Sequence, residues 1–75
     1  MNIDKVLDAK GLACPMPIVK TKKAIDGLES GQILEVIATD KGAKSDLTAW
    51  AASTGHEILD IQEENGVLTF YIKKG

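Results

Sequence analysis

Asn65-Gly66 stands between two runs of alternating apolar and polar residues, His56 to Glu63 (HEILDIQE) and Val67 to Lys73 (VLTFYIK). No other local feature constrains the fold as tightly. A two-residue type I′ turn needs φ > 0 at both central positions, and Asn-Gly supplies that, so the two runs are expected to close into a hairpin. Leu68, Phe70 and Ile72 then share one face of the last strand. A lone hairpin is marginal in water and must be covered by further strands or helices. The upstream sequence provides both. Asp4 to Ala9 (DKVLDA) reads as a short strand with Val6 and Leu7 on opposite faces, ended by the Lys10-Gly11 breaker. Gln32 to Thr39 (QILEVIAT) is the most β-prone segment, with Leu34, Val36 and Ala38 on one face, and reads as a central strand.

The segments between these strands carry helical spacing. From Pro15 to about Leu28, the apolar positions Ile18, Ala24, Ile25 and Leu28, with the Thr21 methyl, recur near a period of 3.6. After the Asp40-Lys41-Gly42 turn, Leu47, Trp50, Ala51 and Thr54 follow the i, i+3, i+4, i+7 pattern. Ser45 or an earlier residue is the expected N-cap there, and Gly55 the expected stop. The order is β-α-β-α-β-β. Two helices cannot cover both faces of a four-stranded sheet, so the expected architecture is a two-layer α/β (α+β) sandwich with both helices on one face. A right-handed crossover makes the first two strands parallel and the final hairpin antiparallel, giving a mixed sheet. The 75 residues have room for a single domain spanning 1–75.

Charge and composition exclude several function classes. Nine Lys, no Arg and eleven acids give a net charge of -2, so there is no bulk positive field for a phosphate backbone. Three aromatics, Trp50, Phe70 and Tyr71, leave no platform for stacking bases, and direct nucleic-acid binding is not expected. The apolar stretch Gly11 to Val19 is far too short to span a membrane and is interrupted by two prolines. Met1 to Lys5 carries no cationic region followed by a long apolar run, which makes the cytoplasm the expected location. The single cysteine, Cys14, has no partner for an internal disulfide or an all-cysteine metal site, and neither metal nor cofactor is expected.

What chemistry the chain has must therefore rest on Cys14. In Cys14-Pro15-Met16-Pro17 the cysteine lies where the first strand gives way to the first helix, outside the carboxyl end of a strand, which is where open α/β sheets place ligand sites. Pro15 suits the first helical position, which makes Cys14 the expected N-cap. Cysteine is a poor cap compared with Ser, Thr, Asp or Asn, so its presence there suggests that the thiol is used. With Pro17 also in the first turn, the N–H of Met16 is the expected donor to the sulfur, aided by the positive end of the helix dipole. Lys10 is the expected nearby cation, and together these predict a thiol modestly more acidic than free cysteine. A small buried hydrophobe is the plain structural reading of the same residue. The only histidine, His56, falls at the start of the third strand, and a cap or surface role fits it better than that of a general base. A thiolate that accepts a group from one partner and hands it to another needs only nucleophilicity, exposure and a docking surface.

The run Leu7-Asp8-Ala9-Lys10-Gly11-Leu12-Ala13-Cys14-Pro15-Met16-Pro17, followed by an apolar-and-lysine helix and closed by Tyr71-Ile72-Lys73-Lys74-Gly75, resembles the signature of the TusA/SirA-like sulfur-carrier family. The resemblance extends over nearly the whole chain. It implies a two-layer sandwich whose CPxP cysteine carries sulfur as a persulfide, received from a cysteine desulfurase or other sulfur donor protein. The sulfur then passes to an acceptor sulfur-relay protein, serving tRNA thiolation or other sulfur metabolism. Carried onto this sequence, Cys14 is the persulfide carrier, Pro15 and Pro17 shape the loop and helix start, and Gly11 supplies a positive φ in the approach loop. Asp40 and Asp46 match acidic positions of the family, although solvated capping suits both. Trp50 fits a core position.

Lys20, Lys22 and Lys23 form a positive stripe on the first helix. With Lys10 they are the expected docking residues for acidic protein partners, although a solvated helix face accounts for them equally well. The rival functional class is a non-catalytic regulatory or adaptor module, with a structural or redox-sensing Cys14 and a partner bound on the first helix.

Overall fold

The computed structural model describes residues 2–13 and 15–75. Six elements follow in the order β1 (Lys5–Ala9), α1 (Met16–Asp26), β2 (Ile33–Ala38), α2 (Ala43–Thr54), β3 (Glu57–Glu64) and β4 (Val67–Lys73). The strands form one sheet in the order β1-β2-β4-β3, with β1 parallel to β2 and the pairs β2–β4 and β4–β3 antiparallel. This is the expected mixed sheet. Asn65 has φ 52° and Gly66 φ 79°, the positive pair that the Asn-Gly hairpin requires.

One apolar cluster joins the sheet to both helices. Leu34, Val36 and Ala38 of β2 and Phe70 and Ile72 of β4 are fully buried, and Ile25 of α1 and Leu47 of α2 close over them. Both helices therefore pack on the same face, as the strand count demanded. The other face carries Val6, Ile33, Glu35, Ile37, Thr69 and Tyr71, by alternation with the buried set, and no helix covers it.

Element boundaries move by one or two residues from the expected ones, and one strand departs in kind. β3 does not alternate cleanly: a bulge at Leu59 shifts the register between Ile58, opposite Ile72, and Asp60, opposite Tyr71. The extra residue lets Ile58 and Ile61, three apart, both turn to the core. It also leaves Leu59 exposed on an edge strand studded with acids. At α2 the cap position falls to Gly42, within the expectation of Ser45 or an earlier residue. No side chain caps it, so Asp40 and Asp46 do not have the capping role expected of them. A Cβ placed on Gly42 would stand 3.4 Å from one Asp40 carboxylate oxygen and 3.5 Å from one of Asp46, so the two acids flank the turn.

Candidate functional site

The approach to Cys14 starts from the carboxyl end of β1. Ala9 is fully buried opposite Ala38, the last residue of β2, so the chain leaves the sheet at the end where β2 also finishes. The Leu12 N–H donates to the Ala9 carbonyl at 3.3 Å and closes the turn. Gly11 has φ +81°, open to glycine and strained for other residues. Its N–H donates to Thr39 Oγ1 at 2.9 Å, which ties the approach loop to the end of β2. Thr39 had no place among the expected site residues, because a contact across 28 positions of chain leaves no local signal.

Cys14 lies outside the described residues, and the cap position expected of it falls instead to Pro15. The residues after it show where the helix begins. Pro15, at φ -94° and ψ 10°, occupies the cap position, Met16 is the first helical residue and Pro17 the second, one place later than expected. The Met16 N–H is not a free donor. It is turned back onto the Ala13 carbonyl at 2.9 Å, a tight turn that precedes the α-helical ladder, and the first i→i−4 bond runs from the Val19 N–H to the Pro15 carbonyl at 3.1 Å. The expected service of the Met16 N–H to the sulfur falls on Cys14, outside the described residues; among the described residues the partner of that N–H is the Ala13 carbonyl. Pro17 is fully buried, and its carbonyl accepts a hydrogen bond from the buried Thr21 hydroxyl at 2.7 Å. The helix start is packed into the core on one side and open on the other.

The lysines are distributed unevenly about this start. Lys10 turns towards Asp8, with its ammonium 4.0 Å from the carboxylate and its own N–H donating to Asp8 Oδ1 at 3.0 Å. Lys20, Lys22 and Lys23 are all exposed, but at about 100° per residue they do not make one stripe. Lys20 and Lys23 share a flank with Met16 and Val19 at i, i+3, i+4, i+7, while Lys22 lies on the other side. Met16 and Val19 are 41% and 40% exposed. Two apolar side chains standing off the core phase, one within the cysteine motif and one just after it, are a signal that the sequence does contain. Their periodicity with Lys20 and Lys23, rather than with Ile25, is what marks them.

His56 is placed at the other end of the sheet. The register sets Ile33, Lys73 and Glu57 side by side at one end and Ala38, Leu68 and Glu63 at the other, the end from which the cysteine loop departs. His56 adjoins the first set. Its Nδ1 accepts the Gly75 N–H at 3.1 Å, and its ring lies 5.1 Å from that of the half-buried Trp50, which borders the core rather than filling it. Among the described residues no group of His, Cys, Asp and Glu side chains is arranged to hold a metal, and no helix is long and apolar enough to cross a membrane.

Comparison with known proteins decides the lineage. The model of the family described as Sulfurtransferase TusA matches residues 5–74. The chain belongs to the TusA family. Among its TusA-family relatives, YrkI of Bacillus subtilis (strain 168) is 69% identical over 75 residues, covering 100% of both chains. The sulfur carrier protein TusA of Allochromatium vinosum is 48% identical over 73 residues, covering 97% of this chain and 96% of that one. Among solved structures, the SirA-like protein of Desulfitobacterium hafniense superposes with a TM-score of 0.83 at 29% identity, over 95% of this chain and 97% of that one. The TusA-family sandwich and the mixed sheet described above are the same architecture.

Proposed function

We propose that this chain is a sulfur carrier, acting as a single domain over residues 1–75, with Cys14 as the carrying group. The observation that carries the reading is the Cys14-Pro15-Met16-Pro17 motif of a TusA-family chain, set after a loop that leaves the carboxyl end of β1. Relatives bearing the name sulfur carrier protein support it. In the loading step the Cys14 thiolate attacks the terminal sulfur of a persulfide on a donor protein such as a cysteine desulfurase. The donor S–S bond breaks, a new S–S bond forms on Cys14, and the donor leaves as its thiol. Delivery repeats the exchange, with an acceptor thiol attacking the terminal sulfur. Sulfur moves with no net oxidation, so the chain needs no cofactor for the transfer. The acceptor is a sulfur-relay protein serving tRNA thiolation or another branch of sulfur metabolism, and the protein works in the cytoplasm.

Gly11, Pro15 and Pro17 shape the loop and helix start. The face of α1 with Met16, Val19, Lys20 and Lys23 is the partner-docking surface: an apolar pair to bury, rimmed by cations that steer an acidic partner. Lys10, on the approach loop, and Lys22, on another side of α1, stand outside this face. Intact mass spectrometry after incubation with a cysteine desulfurase and cysteine tests the carrier reading. A reducible gain of one sulfur atom is expected on the native chain and not on Cys14→Ser. A thiol that alkylates freely yet takes no sulfur from several donors would replace the carrier reading by that of an adaptor module, in which Cys14→Ser leaves partner binding intact.

A further inference from the structure

A pocket of about 340 Å³ opens between the first turn of α2 and the hairpin end of the sheet, lined by Thr39, Lys41, Lys44, Glu63, Gly66 and Leu68. Its lining carries exposed charges of both signs. Lys41 and Lys44 come from the helix side, and no ion pair engages either among the described residues. Glu63 comes from the sheet. It pairs with Leu68 in register and so stands on the core-facing side of β3, in phase with Ile61, where an apolar residue would be expected. Leu68 gives an apolar floor, and Gly66 removes a side chain from the rim. Thr39 is the same residue whose Oγ1 accepts the Gly11 N–H, so the pocket wall and the cysteine approach loop share a side chain.

We propose that this pocket binds the α-amino-acid head of a low-molecular-weight thiol, with Lys41 and Lys44 on its carboxylate and Glu63 on its ammonium. The volume is at the lower end of small-ligand sites. A plain inorganic anion would gain from the two lysines but meet Glu63 as a like charge, whereas a zwitterion satisfies all three groups. A thiol follows from the place of the pocket, at the end of the sheet from which the approach loop to Cys14 departs, and from Thr39, which the pocket shares with that loop; this part rests on the sulfur-carrier reading. With such a ligand, its thiolate attacks the outer sulfur of the Cys14 persulfide. The Cys14 S–S bond breaks, the ligand leaves as R–S–SH, and Cys14 returns to a thiol with no net oxidation. The same exchange in reverse loads the carrier from a small persulfide.

The test is an amide NMR titration of the whole chain with S-methyl-L-cysteine, which keeps the amino-acid head and cannot exchange sulfur. Saturable shifts are expected at Thr39, Lys41, Lys44, Gly66 and Leu68. The analogues lacking the ammonium, 3-(methylthio)propionate, or the carboxylate, 2-(methylthio)ethylamine, should each bind about tenfold more weakly, as should the parent compound to Glu63→Gln and Lys44→Gln. Binding to Cys14→Ser should be unchanged. Absence of saturable shifts, or equal binding of 3-(methylthio)propionate, overturns the proposal and leaves Glu63 as a charge guarding an edge strand. Failure of the carrier reading is separate, since it shows as binding that persists while Cys14 takes up no sulfur.

Discussion

Three glycines separate backbone strain from function. Gly11 and Gly55 both have φ +81°, and a Cβ placed on either meets no atom within 4 Å, so Gly→Ala brings backbone strain without a clash. Gly27, the cap residue of α1, has φ -83° and ψ -3°, a conformation that alanine adopts freely, and its nearest contact would be the Ala24 carbonyl at an ordinary 3.5 Å. Left-handed backbone costs an L-residue about 1–2 kcal/mol. Replacing glycine also removes unfolded-state freedom worth about 0.4–1 kcal/mol in the opposite direction. The net for Gly11→Ala and Gly55→Ala is a loss near 1 kcal/mol each, while Gly27→Ala should gain about 0.4–1 kcal/mol. For a chain of this size 1 kcal/mol moves Tm by about 4–8 °C, so thermal unfolding followed by circular dichroism resolves all three. Function should divide them differently. Gly55 ends α2 beside His56, at the sheet end remote from the cysteine loop, whereas the Gly11 N–H holds that loop to Thr39. Sulfur uptake should therefore slow in Gly11→Ala and stay native in Gly55→Ala, at matched loss of stability. A Gly11→Ala chain as stable as the native one, or equal loss of uptake in both variants, would refute the reasoning.

Thr39→Val keeps the shape of the side chain and removes the acceptor of the Gly11 N–H. It should cost about 0.5–1.5 kcal/mol in denaturant melts and should raise amide hydrogen exchange at Gly11. Phe70→Ala empties the centre of the core, where Phe70 is fully buried, and a loss of about 3–5 kcal/mol should leave the chain largely unfolded by near-ultraviolet circular dichroism. Tyr71 sits on the open face opposite Glu35 and Asp60. Desolvation, then the charge and hydrogen bonding of Glu35, then the charge of Asp60 raise its phenol above the ordinary value near 10. A raised acid stabilises the fold while neutral, so that contribution is complete below pH ~10 and is lost as pH climbs through the folded value. Phenolate absorbance should titrate later in the native chain than in Glu35→Gln, and an unchanged midpoint would remove Glu35 as a cause.

The fold was legible because its signals are local. Alternation in Leu34-Glu35-Val36-Ile37-Ala38, the Asn65-Gly66 turn and the helical phase of Thr21, Ala24 and Ile25 each act within a few residues, and tertiary packing agrees with them. The bulge at Leu59 was not legible, since Ile58-Leu59-Asp60-Ile61 reads equally as sloppy alternation until β4 supplies a register. Around the candidate site, the strand end and the helix start were legible in their chain positions and not in their hydrogen bonds. Pro15 fits the first helical position or the cap equally by its φ, and the choice falls to the Met16 N–H, which pairs with Ala13 rather than waiting for a ligand. That one-residue shift matters to the chemistry. Proline at positions 15 and 17 removes two backbone donors, and the Ala13 carbonyl engages the one between them. The N–H inventory that ordinarily makes a helix start attractive to anions is thus thin here. Sulfur exchange asks for a nucleophile and an accessible terminal sulfur rather than a tightly held anion, and a thiolate stabilised too well attacks slowly. A helix start with prolines at 15 and 17, beside exposed Met16 and Val19, suits the receipt and release of sulfur proposed for Cys14.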